Sequence, residues 1–238
     1  MLGLILLLGA LWCLFALVAN RVIALSTRGG DVGSGLALFF MGVYARVVHG
    51  LRVEGLENVP KASEAGPLVV VSNHTAGVDP LLIQAVCRFE VRWIMAEDMR
   101  LSWLEEFWSW GGVIFVDREN PSTAPVRLAM SHLRGGGVLG LFPEGHIERP
   151  ARTLLPFHAG VGAFVRPTGA PVLPVVIEGT PTSVRSAWAS LLRPSRARLR
   201  FYPPIRYERT MSPAEIAADL ESRYAAWTGW ATSDVTPA

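Results

Sequence analysis

Hydrophobic residues form one long apolar stretch at the start of the chain and shorter runs after it. From Met1 to Ala19 there is no charged side chain, and Leu, Ile, Val, Phe and Trp dominate until Arg21. At about 1.5 Å of rise per residue, such a helix reaches roughly across the ~30 Å hydrocarbon core of a bilayer. The stretch has no basic leading region and no convincing cleavage site, so it predicts a retained membrane helix, either crossing the bilayer or lying in it, rather than a signal peptide.

A second apolar segment covers residues 36–49 and carries Arg46 and His49 near its end. It is too short for an obvious second span and predicts an interfacial or re-entrant helix, with a core helix of the following domain as the alternative. Arg21 and Arg28 follow the first segment, which favours a cytoplasmic body by the positive-inside tendency. We expect residues 1–50 to anchor the protein in the cell (inner) membrane, with the catalytic domain facing the cytoplasm.

Beyond residue 50, short β-branched runs alternate with helical stretches. This alternation predicts an α/β domain over residues 51–231, with a mostly parallel central sheet flanked by helices. Ser212, followed three residues later by Glu215, indicates the start of the last helix, and residues 232–238 look like a frayed tail. The predicted strands are 51–56, 68–72, 91–95, 112–116, 138–142, 172–177 and 197–202, and the predicted helices are 80–87, 102–110, 124–133, 160–165 and 213–230.

The length, charge and cysteine content of the chain limit its domain number and its possible binding partners. A chain of 238 residues suits one sizeable domain with an appendage, and a net charge of +2 does not resemble a nucleic-acid-binding surface. The arginines of residues 196–200 alternate with smaller residues, so a strand would place them on one face, either toward anionic lipid head groups or toward solvent. Cys13 and Cys87 both lie in apolar surroundings, and we expect both to serve packing.

The segment after the apolar run 68–71 carries the most informative polar residues. It contains Asn73, His74 and Asp79, followed by Pro80. A histidine at a strand's end, with a carboxylate five residues on, offers a base and its partner that can take a proton from a hydroxyl. The same residue types are turn formers, so a simple strand-to-helix turn is the alternative.

Two further strands end in polar residues. Residues 138–142 are followed by Glu144 and Gly145, and residues 112–116 lead to Arg118. Ligands of open α/β sheets bind at the carboxyl ends of the strands, so these residues could share a pocket with His74, although a plain turn also explains Glu144 and Gly145. The Arg118 guanidinium suits a phosphate, with an ion pair to Asp117 as the alternative.

Other features of the body predict less chemistry. Pro174, inside the predicted strand 172–177, suggests an edge strand or a bulge. A metal site built from His74, Asp79, Glu144 and His146 is conceivable, but the spacing of a zinc motif is absent. We therefore expect no metal.

Four blocks in order resemble the glycerolipid (lysophospholipid) acyltransferase family, and within it the 1-acyl-sn-glycerol-3-phosphate acyltransferases. The blocks are His74 with Asp79, then residues 114–118, then 142–145, then 173–175. The resemblance implies a membrane-bound O-acyltransferase that moves a fatty acyl group from acyl-CoA or acyl-acyl carrier protein to a lysophospholipid, giving phosphatidate from 1-acyl-sn-glycerol-3-phosphate. It implies membrane lipids as surroundings and no cofactor beyond the thioester co-substrate.

The resemblance also assigns roles to residues. It makes His74 the general base and Asp79 the residue that orients it, with no covalent acyl-enzyme. It implies that Arg118 binds phosphate and that Glu144 and Gly145 bind the glycerol end of the acceptor. We add Asn73 to the substrate-binding residues because it adjoins the base.

The chain departs from the family pattern after Gly145, where His146 and Ile147 replace the usual Thr-Arg. Arg149 or Arg152 could supply the missing charge. Alternatively, the acceptor is a lyso-ornithine lipid, another lysophospholipid or a glycolipid. A non-catalytic lipid-binding relative is a further alternative, which the intact His74 and Asp79 disfavour.

Overall fold

A seven-stranded sheet organises the protein, for which we use a computed structural model that describes residues 2–28, 30–117, 122–181 and 186–233, with side chains from Leu7 onward. The strand order is β1-β8-β7-β2-β5-β3-β4, and all neighbours are parallel except β7 and β8. A separate two-stranded pair joins β6 and β9. The strands are β1 Arg52–Glu54, β2 Leu68–Ser72, β3 Val91–Ala96, β4 Ile114–Val116, β5 Val138–Leu141, β6 Thr153–Leu154, β7 Val172–Glu178, β8 Arg198–Phe201 and β9 Ala231–Thr232.

Helices cover both faces of this sheet, which confirms the predicted α/β class. Val70, Val91 and Leu173 pack toward α2 and α3 on one face. Val69 and Val176 pack toward α5, α6 and α7 on the other. The buried strands are hydrophobic on both sides, as expected of a parallel sheet covered twice. The helices are α1 Leu2–Leu25, α2 Val32–Val47, α3 Asp79–Gln84, α4 Glu105–Trp110, α5 Thr123–Arg134, α6 Gly160–Thr168 and α7 Pro213–Thr228.

The first two helices form an antiparallel pair ahead of the sheet. The carboxylate of Asp31 caps α2 by accepting the N–H groups of Gly33 and Ser34. A Cβ on Gly35 would overlap the carbonyl oxygen of Val22, so glycine permits the close approach of the two helices. Among the described residues, α1 is the one helix long and apolar enough to cross a membrane, over Leu7–Leu25.

A buried polar chain fastens α2 to the rest of the domain. The Tyr44 hydroxyl donates to the Leu191 carbonyl at 2.6 Å and bonds Nε2 of His49 at 2.9 Å, and Nδ1 of His49 bonds the Ser195 hydroxyl at 2.8 Å. Since the tyrosine proton goes to Leu191, Nε2 of His49 carries a proton and Nδ1 accepts from Ser195. Burial lowers the pKa of His49, which favours this neutral form.

The edge position predicted for the strand of Pro174 is wrong. β7 lies inside the sheet, between β2 and β8. Proline is accepted there because its missing N–H faces the end of the β8 ladder, where Tyr202 donates to the Pro174 carbonyl. On the other side, the Tyr224 hydroxyl inserts between the strands, accepting from the Val175 N–H at 3.0 Å and donating to the Val71 carbonyl at 2.7 Å.

Several predicted boundaries differ from the observed ones. The predicted helix 102–110 is a 3₁₀ turn over Ser102–Leu104 followed by α4. The strand expected from residue 112 begins at Ile114, because Gly112 adopts φ +61° in the turn that ends α4. The tail expected from residue 232 begins later, because Thr232 pairs with Leu154 in β9.

Of the arginines predicted to share a strand face, Arg198 and Arg200 lie on β8, and acidic residues accompany them. Arg200 lies 2.8 Å from Glu54, and Arg198 lies within 4 Å of both Glu54 and Glu178. These pairs neutralise much of the positive charge of the strand. The arrangement favours a solvated face over a site for anionic lipid.

Candidate active site

His74 and Asp79 meet at the carboxyl edge of the sheet, where β2 passes into α3. Nδ1 of His74 lies 3.0 Å from Oδ2 of Asp79, and that carboxylate is fully buried. The same oxygen accepts the backbone N–H groups of Thr75 at 2.7 Å and Ala76 at 2.8 Å. The turn thus serves as a clamp for the carboxylate, which in turn fixes the imidazole.

The pairing also decides which ring nitrogen of His74 can act as a base. A carboxylate only accepts hydrogen bonds, so Nδ1 carries the proton and Nε2 keeps its lone pair. The imidazole stacks on Phe142 with centroids 4.0 Å apart and planes 15° apart. Its side chain is 17% exposed, so the ring is fixed yet still accessible.

The hydroxyl groups of Thr75 and Thr180 contact each other next to the Asp79 carboxylate. Oγ1 of Thr75 lies 3.2 Å from Oδ1 of Asp79 and 2.5 Å from Oγ1 of Thr180. Thr180 follows β7, so this contact joins the loop after β2 to the loop after its neighbour in the sheet.

Glu144 lies close to His74 but holds its backbone. The carboxylate accepts the His74 N–H at 2.7 Å and the Leu155 N–H at 2.9 Å, and its side chain is buried. Burial raises the pKa of Glu144 to about 8. Both oxygens are committed to backbone groups, so this geometry suits positioning of His74 better than the acceptor contact that we predicted.

Glu148 is a second buried acid at the site, and sequence reasoning missed it. Its backbone N–H donates to the His74 carbonyl at 2.8 Å, and its carboxylate accepts the Arg152 N–H at 3.0 Å. Burial raises its pKa to about 7. The surrounding sequence, with Arg149 next to it, reads as an exposed loop and gives no signal for this burial.

Gly145 and Asn73 occupy different environments. Gly145 has φ +67°, a conformation that favours glycine, and borders the large cavity described below. Asn73 is fully buried and its amide makes two hydrogen bonds of 2.9 Å with the backbone of Ile177. It therefore fastens β2 to β7 and does not face the cavity, contrary to the substrate contact expected for it.

Two of the three arginines predicted to bind a phosphate lie outside the cavity wall. Arg149 and Arg152 are exposed and do not border the cavity, and the Arg149 guanidinium donates to the Glu148 carbonyl at 2.7 Å. Arg152 has φ +61°, which is rare outside glycine. Arg118 lies outside the described residues.

A cavity of about 610 Å³ opens beside the imidazole, a size typical of ligand pockets. It runs between the sheet and α2 and α3, from His74 at the carboxyl edge to the ion pair of Arg28 and Glu90 at the amino edge. Hydrophobic side chains line most of it, among them Leu38, Met41, Leu81, Trp93, Phe107 and Leu191.

Metal and thiol chemistry find little support at this site. Within the described ranges, no cluster of three or more His, Cys, Asp or Glu side chains could hold a metal ion. Cys87 is buried, which raises its pKa to about 12, and Cys13 is exposed on α1, away from His74.

The mostly parallel sheet, the His–Asp pair at its carboxyl edge and the apolar cavity beside the histidine form a site suited to a base that acts on an apolar substrate. The acyltransferase family profile matches residues 50–178. The chain therefore belongs to the acyltransferase family.

Two relatives that the chain resembles carry the same enzyme name. The chain is 24% identical over 194 residues to a 1-acyl-sn-glycerol-3-phosphate acyltransferase of Limnanthes douglasii, covering 77% of this chain and 62% of that protein. It is 24% identical over 132 residues to the enzyme of that name from Bacillus subtilis, covering 55% and 63%. The chain thus spans less than two thirds of either relative.

A solved structure shares the fold. The 1-acyl-sn-glycerophosphate (LPA) acyltransferase PlsC from Thermotoga maritima superposes with a TM-score of 0.65 at 23% identity, covering 81% of this chain and 78% of that one. At this identity the likeness establishes the architecture.

Proposed function

We propose that the protein transfers a fatty acyl group from a thioester, acyl-CoA or acyl-acyl carrier protein, to the hydroxyl of a lysophospholipid. 1-acyl-sn-glycerol-3-phosphate is the favoured acceptor, and phosphatidate is then the product. The observation that carries the proposal is the imidazole of His74, with Nδ1 bonded to Asp79, at the end of an apolar cavity. The names of the relatives support the choice of acceptor.

The reaction needs one base. Nε2 of His74 takes the proton of the acceptor hydroxyl as its oxygen bonds to the thioester carbonyl carbon. Asp79 keeps Nδ1 protonated and stabilises the imidazolium that forms, because its buried carboxylate is fixed by Thr75 and Ala76. When the tetrahedral intermediate collapses, the carbon–sulfur bond breaks, and the leaving thiolate takes the proton from the imidazolium. The base is then neutral again.

The cavity is the proposed site of the acyl chain. Each methylene group of the chain that is buried against the hydrophobic lining contributes roughly 0.8 kcal/mol to the free energy of binding. His74 lies at one end of the cavity, so a chain that fills it brings its thioester carbonyl to the base. This arrangement supports a long-chain donor.

The acceptor head group is the less constrained part of the proposal. Gly145 borders the cavity beside His74, and Arg118, Arg149 and Arg152 are the candidates for binding a phosphate. A different head group, such as that of a lyso-ornithine lipid or a glycolipid, is the second candidate. The observation that supports this second candidate is that His146 and Ile147 border the apolar cavity, whereas Arg149 and Arg152 do not.

The amino-terminal helices support a membrane location, because both lysolipid and product reside in a bilayer. Trp12, Phe15 and Leu17 on α1 are each more than 60% exposed, as is Phe40 on α2. Such apolar surface is unfavourable in water and suits lipid. We propose an anchor in the inner membrane with the sheet on the cytoplasmic side, in line with Arg21 and Arg28.

A lysolipid panel tests the activity. Detergent-purified protein is incubated with labelled acyl-CoA or acyl-acyl carrier protein and with different lysolipids, and the products are separated by chromatography. We expect labelled phosphatidate from 1-acyl-sn-glycerol-3-phosphate. Transfer only to another lysolipid would support the second candidate, and label in no lipid would contradict acyl transfer. Deletion of α1, Leu2–Leu25, leaves α2 and its part of the cavity wall in the chain. It should reduce both membrane association and activity on lipid acceptors, and unchanged values for both would contradict the anchor.

A further inference from the structure

Two buried tryptophans line the cavity, and their indole N–H groups differ. Nε1 of Trp108 donates to the Leu101 carbonyl at 3.1 Å. Nε1 of Trp93 is buried and has no hydrogen-bond partner among the described residues. The two side chains are alike in exposure, at 5% and 6%. A buried donor without a partner is uncommon in folded proteins and calls for a specific reason.

Gly140 leaves room for Trp93 on the sheet face that borders the cavity. Trp93 on β3 is in register with Gly140 on β5, and a Cβ added to Gly140 would lie 2.6 Å from Cε3 of the indole. The indole therefore packs over the glycine, on the same face of the sheet as Val91. The Trp93 side chain also lines the cavity.

Trp93 also has a defined place along the cavity. Its ring stacks on Phe142 with centroids 5.1 Å apart, and Phe142 stacks on His74. Glu90, just before β3, marks the far end. An acyl chain that starts at His74 and runs toward Glu90 therefore passes Trp93 within its first several carbons.

Three other polar side chains of the lining, Gln84, Arg28 and Glu90, have partners inside the protein. The Gln84 amide bonds the backbone of Phe89 and Val91, and Arg28 is paired with Glu90. These groups therefore do not need a hydrogen-bond partner from a ligand. Trp93 contributes a single donor to an otherwise apolar stretch of the wall.

We propose that Trp93 forms a polar subsite for an oxygen substituent on the acyl chain, so that the cavity accepts chains with a hydroxyl group near the carbonyl end. This inference rests on the proposed acyl transfer, since it takes the cavity to be the acyl site. The hydroxyl oxygen accepts the indole N–H, and the flanking methylene groups contact Phe142 and the apolar wall. A plain chain leaves the donor without a partner and is the poorer ligand.

The test compares two donors on one preparation of full-length protein. Values of kcat/KM are measured for β-hydroxytetradecanoyl and tetradecanoyl thioesters, with wild type, Trp93→Phe and Trp108→Phe. One hydrogen bond predicts a preference of about fivefold for the hydroxylated donor in wild type, lost in Trp93→Phe. Trp108→Phe keeps the preference because its N–H is already bonded to Leu101. The ratio is independent of the fraction of folded protein.

Two results would overturn the subsite. One is an equal ratio in wild type and Trp93→Phe, and the other is an equal loss with both donors, which would assign the indole to the thioester itself. Binding of the two free fatty acids to the three proteins separates the subsite from the reaction. A preference for the hydroxylated acid that needs Trp93, without transfer from any donor, would contradict the proposed function and support the subsite.

Discussion

The backbone N–H of His74 donates to the carboxylate of Glu144 at 2.7 Å, so the proposed base is held by the loop that follows another strand. The His74 carbonyl accepts the N–H of Glu148 in the same loop. Both backbone groups of the histidine are therefore fixed from one side, and Asp79 fixes its ring from the other. Buried hydrogen bonds of this kind position a base because no water competes for them.

Replacement of Glu144 tests whether this acid positions the base or binds the acceptor. In Glu144→Gln the amide keeps one acceptor oxygen but turns an NH₂ group toward the N–H of His74 or Leu155. Above pH 8, where the wild-type acid is ionised, we expect kcat to fall about tenfold or more, with little change in the KM for the acceptor. Steady-state kinetics with varied lysolipid measures both. A raised acceptor KM at unchanged kcat would restore the acceptor-binding role.

Glu148 gives the stability of the protein a pH dependence. Its pKa rises from an ordinary 4.5 to about 7 in the folded state, so the folded protein binds more protons between these values and loses stability as the pH rises through 7. Glu148→Gln removes this titration and keeps an acceptor for the Arg152 N–H. We expect its Tm to exceed that of wild type by a few degrees at pH 8 and to match it near pH 4.5. Equal differences at both pH values would contradict the buried acid.

Asp79 should matter through the tautomer of His74. In Asp79→Asn, an amide faces the N–H groups of Thr75 and Ala76, and the imidazole loses the acceptor that keeps Nδ1 protonated. We expect kcat to fall about 10²–10⁴-fold, the usual contribution of a general base. Single-turnover measurements at saturating donor report the chemical step. A variant that changes only the KM of a substrate would show that the carboxylate does not act through the base.

The contact between Tyr44 and His49 predicts a stability effect far from the reaction. Tyr44→Phe leaves the Leu191 carbonyl and Nε2 of His49 without their partner, which should lower the free energy of unfolding by about 1–3 kcal/mol. Tyr202→Phe is the control, because that hydroxyl makes a weak 3.4 Å contact with Arg200. Denaturant unfolding in detergent measures both. Equal stability of the two variants would contradict the role of the chain in fastening α2.

The strand pattern was predictable because a parallel sheet covered on both faces needs continuous apolar runs. Residues 68–72 form β2 as predicted, and the turn residues after them bring His74 to Asp79. The interior position of Pro174 was not predictable, since it depends on where β8 ends and on the Tyr224 hydroxyl. Such contacts join residues far apart in the chain.

The contact between His74 and Asp79 was predictable, and the contacts that support it were less so. His74 and Asp79 are neighbours in sequence, so their pairing follows from one turn. The roles of Glu144 and Glu148 depend instead on how the loop after β5 folds back on His74. A glutamate among polar neighbours carries no sign that it will be buried.

The most direct test of the central claim is acyl transfer by His74→Ala. The substitution removes the proton acceptor and leaves the strand, the cavity and the clamp of Thr75 and Ala76 on Asp79 in place. We expect transfer from acyl thioester to lysolipid to fall by at least about 100-fold, with a Tm close to that of wild type. Turnover near the wild-type rate in a folded His74→Ala protein would contradict general-base catalysis by this histidine.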